Sequence, residues 1–158
     1  MVRYVKEDTT VAFREIPDEC SLVVNISNCP HRCKGCHTPY LQTDTGDVLS
    51  YRVIDRLIKE NDGATCFLFM GEGDDLEEIY KFAVYIHNET KLKVGIYAGS
   101  TELPTRFWEE FDYIKLGPYN EELGGLDKKT TNQRLYKKTG DWKEGEQKWE
   151  DITSGFWR

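Results

Sequence analysis

The sequence predicts an α/β fold on a mostly parallel sheet, and three observations carry that prediction. Short apolar, β-branched runs alternate with segments of helical periodicity between residues 21 and 116. Each run stops at a turn rich in glycine or cysteine. The resulting order of strand, helix, strand, helix, strand, helix, strand is that of parallel strands joined by crossovers.

The first strand is Ser21–Ser27 (SLVVNIS), a β-branched run ended by Asn28 and Pro30. A cysteine cluster follows directly, on the loop leaving its C-terminal end. Residues 50–60 place Val53, Ile54, Leu57 and Ile58 on one helical face, with Ser50 or Asp47 as N-cap and Gly63 closing the segment. Thr65–Met70 is a short buried strand that breaks into Gly71-Glu72-Gly73. Leu76, Ile79, Ala83 and Ile86 recur at three- and four-residue steps, which gives a second amphipathic helix capped by Asp74 or Asp75. Leu92–Tyr97 is a third strand ending in Ala98-Gly99-Ser100. Thr105–Glu110 reads as a short helix, and Tyr113–Leu116 as a fourth strand ended by Gly117-Pro118. Parallel α/β sheets carry their chemistry past the C-terminal strand ends, where these loops fall. From about residue 118 the chain turns polar and irregular, with Trp142, Trp149, Trp157 and a hairpin-like Lys138-Thr139-Gly140-Asp141. A single domain is expected, with a core over about 1–117 and a tail over 118–158.

Composition narrows the function classes. At 158 residues the chain can bury about 70% of its unfolded surface. Its 13% aromatic content is that of a folded protein rather than a disordered one. The apolar run Cys66–Met70 is five residues long and none is longer, far short of the about 20 a membrane span needs. The stretch Met1–Asp8 has no apolar signal core. A net charge of −7 disfavours nucleic acid or an anionic membrane as partner. The five cysteines, an odd number with three inside eight positions, suit a reduced cytoplasmic compartment and a metal or redox site.

That cluster reads Cys29-Pro-His-Arg-Cys33-Lys-Gly-Cys36-His37. Three thiolates at spacings of four and three can hold a four-iron cluster and leave one iron open for substrate. Two other readings compete on spacing alone. One is a structural zinc site with His31 or His37 as fourth ligand. The other is a redox pair of Cys33 and Cys36, which leaves Cys29 without a role. Cys66 reads as core packing, and Cys20 is open.

The cysteine spacing resembles that of radical S-adenosylmethionine (SAM) enzymes. The stretch Asn25–Leu41 (NISNCPHRCKGCHTPYL) and the stretch Leu116–Tyr136 (LGPYNEELGGLDKKTTNQRLY) resemble the activating proteins of anaerobic ribonucleoside-triphosphate reductases. The similarity runs from about residue 11 onward and favours the iron–sulfur reading over zinc. Gly35 precedes the third cysteine where many radical SAM enzymes carry an aromatic residue, and His37 follows it, as in this activator family.

The resemblance implies an incomplete (β/α) barrel with a curved sheet, and a 4Fe-4S cluster on Cys29, Cys33 and Cys36. It implies SAM as second cofactor, its methionine amino group held by a Gly-Gly-Glu-like turn. Here that turn is Gly71, Glu72 and Gly73, with Met70 in place of the first glycine, or with Asp74 as the acid in a shifted register. Ala98, Gly99 and Ser100 fall at the strand end that approaches the cofactor's ribose or carboxylate, and Asn132 lies in a recurring family stretch near the site mouth. The implied activity is reductive cleavage of SAM and abstraction of a hydrogen atom from a C-terminal glycine of the reductase. The implied partners are that reductase and a low-potential electron donor such as a flavodoxin. An activator of another glycyl-radical enzyme, or a zinc-stabilised binding module without catalysis, are the alternatives.

Overall fold

The computed structural model describes residues 1–31, 33, 35, 36, 39–139 and 149–157. Its strands are β1 (Arg3–Tyr4), β2 (Thr10–Ala12), β3 (Ser21–Asn25), β4 (Asp47–Val48), β5 (Cys66–Met70), β6 (Lys93–Tyr97), β7 (Tyr113–Leu116), β8 (Arg134–Lys138) and β9 (Trp149–Asp151). The helices are α1 (Tyr51–Glu60), α2 (Leu76–Glu89) and α3 (Thr105–Glu110). Seven strands form one sheet in the order β2-β3-β5-β6-β7-β8-β9, while β1 and β4 form a separate antiparallel ladder. The four central strands β3, β5, β6 and β7 are mutually parallel. The flanking strands β2, β8 and β9 run antiparallel to their neighbours. The molecule is thus an α/β protein with a parallel central sheet.

Period-two alternation sorts the strand residues onto two faces. Leu22, Val24, Phe67, Phe69, Val94, Ile96 and Ile114 pack with the helices, against Ile54 and Leu57 of α1, Ile79, Phe82 and Ile86 of α2, and Phe107 of α3. Val23, Cys66, Leu68, Tyr113 and Leu135 point the other way, where Ile16, Leu126, Ile152 and Phe156 cover them. Cys66 is fully buried there, as expected for a packing residue, and burial pushes its thiol pKa up. The helix starts follow their caps. Ser50 Oγ accepts from Val53 N (3.3 Å), and Asp75 Oδ1 accepts from Glu78 N (3.1 Å).

The tail departs from the irregular segment expected. Arg134–Lys138 pairs along β7, and Trp149–Asp151 pairs with β8, so two strands extend the sheet. The physical reason is the edge. Without them β7 would present a row of unpaired backbone groups, and Leu135 would lose its fully buried place. Gly140, Asp141 and Trp142 of the hairpin-like stretch lie outside the described residues. Strands β1, β2 and β4, of two or three residues, are too short to show a period in sequence.

Candidate active site

The sheet register sets the floor of the site. Asn25, Met70, Tyr97 and Lys115 are paired in one row across β3, β5, β6 and β7. The loops that leave this row therefore rise side by side from the same end of the sheet.

The loop after β3 holds the three cysteines. Its base is braced by the backbone, with Asn28 N donating to Thr43 O (2.9 Å) and Cys29 N to Leu41 O (2.8 Å). Ser27 Oγ donates to Thr45 O (2.6 Å). Further on, Cys36 N donates to Cys33 O (3.2 Å) across a turn at Gly35, whose φ of +77° is a left-handed conformation that glycine adopts freely. A Cβ at Gly35 would lie 3.1 Å from Glu121 Cδ and 3.3 Å from Tyr119 Cε1, so this loop packs on the tail. All three cysteines are partly buried. Burial raises the Cys29 thiol pKa, and the charges of Glu72, Cys33 and Cys36 add to it against an opposing hydrogen bond from the backbone at His31.

The loop after β5 turns inward at Glu72, which is only 3% exposed. Gly71 (φ +117°) and Gly73 (φ +59°) flank it, and both lie against Ile26, where a Cβ at Gly71 would stand 3.1 Å from Ile26 O. Asp74 is exposed and accepts from Asn28 Nδ2 (2.8 Å), so Glu72 is the acid turned into the site.

The loop after β6 meets it there. Ser100 N donates to Glu72 Oε1 (3.0 Å), and Ser100 Oγ lies 2.9 Å from both carboxylate oxygens. His31 Nε2, from the cysteine loop, is hydrogen-bonded to the same Oε1. Ala98 is fully buried, with its N–H donating to Lys115 O (2.8 Å). Gly99 lies against the His31 ring.

Two further residues stand at the site, Lys115, which the sequence did not single out, and Gln133, which lies in the recurring stretch expected near the site mouth. Lys115 is 8% exposed, and its Nζ donates to Gly117 O (2.8 Å) and Ala98 O (3.4 Å). Burial brings its pKa down to about 8, a shift that the charges of Cys33, Glu72 and Cys29 partly oppose. The signal was a lysine inside an apolar strand, Tyr113-Ile-Lys-Leu116. Buried Gln133 also donates to Gly117 O through Nε2 (3.4 Å). Asn132, expected at the mouth, is exposed and donates to Pro118 O (3.1 Å). It lines a shallow cavity of about 400 Å³ with Pro118–Glu122, and no hydrogen bond ties it to Glu72 or Ser100.

The donor set fits an iron–sulfur cluster. Three soft thiolate ligands on one tight loop suit iron and sulfide better than hard-ligand metals. Among the described residues, no three His, Cys, Asp or Glu side chains stand close enough to hold a single ion. His37, the other possible zinc ligand, lies outside the described residues.

A parallel α/β sheet with a three-cysteine loop at its C-terminal edge, facing a buried acid, defines the class as one that works on a cofactor at strand ends. The radical SAM superfamily model matches residues 24–151, and the chain belongs to that family. No curated protein and no solved structure matches the chain. Family membership carries SAM and iron–sulfur chemistry with it, as the basis of a radical oxidoreductase. No helix among the described residues is long and apolar enough to cross a membrane.

Proposed function

We propose that this protein is the activating enzyme of an anaerobic ribonucleotide reductase, built on a partial barrel and working in the cytoplasm. One observation carries the reading. The two stretches that resemble such activators, 25–41 and 116–136, meet in space where Gly35 packs on Tyr119 and Glu121. The tail thereby lies beside the cysteine loop.

Cys29, Cys33 and Cys36 would hold a 4Fe-4S cluster, which would supply the one-electron chemistry of reductive SAM cleavage. The electron comes from a low-potential donor of the flavodoxin class. The hydrogen atom taken would come from a glycine Cα–H of the reductase, which would keep the resulting glycyl radical. The residues of this chain bind and orient. Gly71, half-buried at the strand end, offers backbone for the ammonium of SAM, while buried Gly73 shapes the turn behind Glu72. Gly99 and Ser100 form the adjacent wall, and Ala98 is buried. The Lys115 ammonium sits beneath the cysteine and glutamate loops as a cation facing thiolates and carboxylate. Asn132 and the cavity at Pro118–Glu122 form the rim that the reductase loop approaches.

The test is anaerobic reconstitution with iron and sulfide, then mixing with SAM, dithionite and an anaerobic ribonucleotide reductase. A glycyl radical signal in electron paramagnetic resonance is expected on the reductase. Cleavage of SAM without that signal would move the assignment to another glycyl-radical partner, and a colourless zinc protein would end it.

A further inference from the structure

We propose that Glu72 is a positioning residue whose buried carboxylate ties the cysteine loop, through His31, to the loop at Ser100. The tie fixes where a cluster on Cys29, Cys33 and Cys36 stands relative to the cofactor pocket. Its functional consequence rests on the function proposed above, but its contacts do not.

The carboxylate is almost fully buried, and a buried carboxylate needs its hydrogen bonds. Oε1 accepts from Ser100 N at 3.0 Å, and the Ser100 hydroxyl lies 2.9 Å from both oxygens. The remaining direction at Oε1 is filled by His31 Nε2, hydrogen-bonded to the same oxygen. Three loops, those leaving β3, β5 and β6, therefore converge on one side chain. His31 is two residues from Cys29 and two from Cys33, so the tie grips the middle of the ligand loop rather than its base.

A second observation points to the same contact. Gly99 does not have a left-handed backbone, unlike Gly71 and Gly73. Its missing side chain is explained by the His31 ring, since a Cβ at Gly99 would lie 2.4 Å from His31 Cδ2. The site makes room for this histidine. Radical generation needs the sulfonium held at a set distance and angle from the cluster, and a misplacement of about 1 Å can cost roughly 10²-fold in rate.

The experiment compares wild type with His31→Ala, His31→Gln and Gly99→Ala. The last puts a methyl group where the ring lies, on a backbone that accepts it, and leaves His31 itself in place. In the cofactor-free protein, amide hydrogen exchange across residues 29–36 should speed up about tenfold or more in His31→Ala and Gly99→Ala. His31→Gln, which retains a donor, should restore part of the protection. After reconstitution the variants should hold full iron, because the three cysteines are intact. The change in the reduced cluster's paramagnetic signal on adding SAM should be altered. In His31→Ala the kcat for SAM cleavage should fall about 10²-fold while KM moves less than about threefold. Unchanged exchange in both His31→Ala and Gly99→Ala overturns the tie, whatever the cofactor. Faster exchange with an unaltered signal and unaltered kcat overturns the positioning role. Wild-type protein that takes up no iron removes the cofactor reading instead, and leaves the exchange result to decide the tie.

Discussion

His87 and Asp112 join helix to sheet through a charged hydrogen bond, with His87 Nε2 2.7 Å from Asp112 Oδ2. Glu110 Oε1 stands 2.7 Å from the other ring nitrogen, so α2, the end of α3 and the start of β7 meet at one imidazole. Two carboxylates need two N–H donors, which only the imidazolium offers. The bond to Asp112 raises the His87 pKa and outweighs burial, with Glu110 adding to it. Burial pushes the Asp112 carboxyl up, but the bonds from His87 and Val94 N and the charge of Lys138 hold it below its usual value.

The pH dependence follows from the two signs. The raised histidine contributes in full below its unfolded value of 6.5, and the contribution is lost as pH rises through the folded value. The depressed aspartate contributes above its unfolded value of 3.8 and is lost as pH falls through the folded value. The pair is therefore strongest between these limits. Thermal unfolding of wild type and His87→Gln should show a Tm gap that is largest there and shrinks above neutral pH. A gap constant from pH 4 to 9 would rule out this contribution.

Replacing Cys29, Cys33 or Cys36 with Ala should each abolish cluster uptake, because two ligands remain where three are needed. Iron and sulfide content after anaerobic reconstitution is the measurement, and full occupancy in all three variants would refute the ligand assignment. Cys20→Ala and Cys66→Ala should keep the cluster. Cys66→Ala should also lower stability modestly, since its fully buried sulfur packs with Leu68 and Tyr113.

Gly71→Val should weaken SAM binding with the cluster retained, and calorimetry on the reconstituted variant measures it. The backbone adds a second cost. At φ +117°, with Ile26 O 3.1 Å from the new Cβ, the valine variant should also lose roughly 1–3 kcal/mol of stability. Affinity unchanged in a folded variant would remove this loop from the cofactor site.

Trp149 packs edge-on against Trp108, with ring centres 4.9 Å apart, and Lys138 Nζ lies over it at 5.5 Å. Close by, Thr153 Oγ1 accepts from Leu135 N at 2.8 Å. Deleting residues 141–158 removes β9 and this anchor together and should lower stability. Trp149→Ala alone should cost about 2 kcal/mol in denaturant unfolding. A cost near zero would mean that the tryptophan does not cap this edge.

The four central strands and three helices were legible because each carries a full period of its pattern. Leu22-Val23-Val24 and Phe67-Leu68-Phe69 are unbroken apolar runs, and Leu76, Ile79, Ala83 and Ile86 repeat helically. The cysteine loop was legible from spacing. Strands β8 and β9 were not, because Arg134–Lys138 and Trp149–Asp151 are mostly polar and owe their conformation to the edge of β7. Nor was the convergence on Glu72. His31, Glu72 and Ser100 are far apart in sequence, and only the parallel register sets their loops side by side. Lys115 was hidden among apolar neighbours whose burial made its own seem unremarkable. That Glu72 is buried and Asp74 exposed is likewise invisible in the sequence.

The strand order of the seven-stranded sheet is also the order of the chain, once the separate β4 is set aside. As the polypeptide leaves the ribosome N-terminus first, each new strand finds its neighbour already made. The same rule dates the site. The three thiols emerge after β3, when neither the glutamate nor the serine that grip their loop has yet been translated. Completion of that grip is a late event in biosynthesis, and a nascent chain carries reactive sulfur through much of its synthesis before the pocket around it exists.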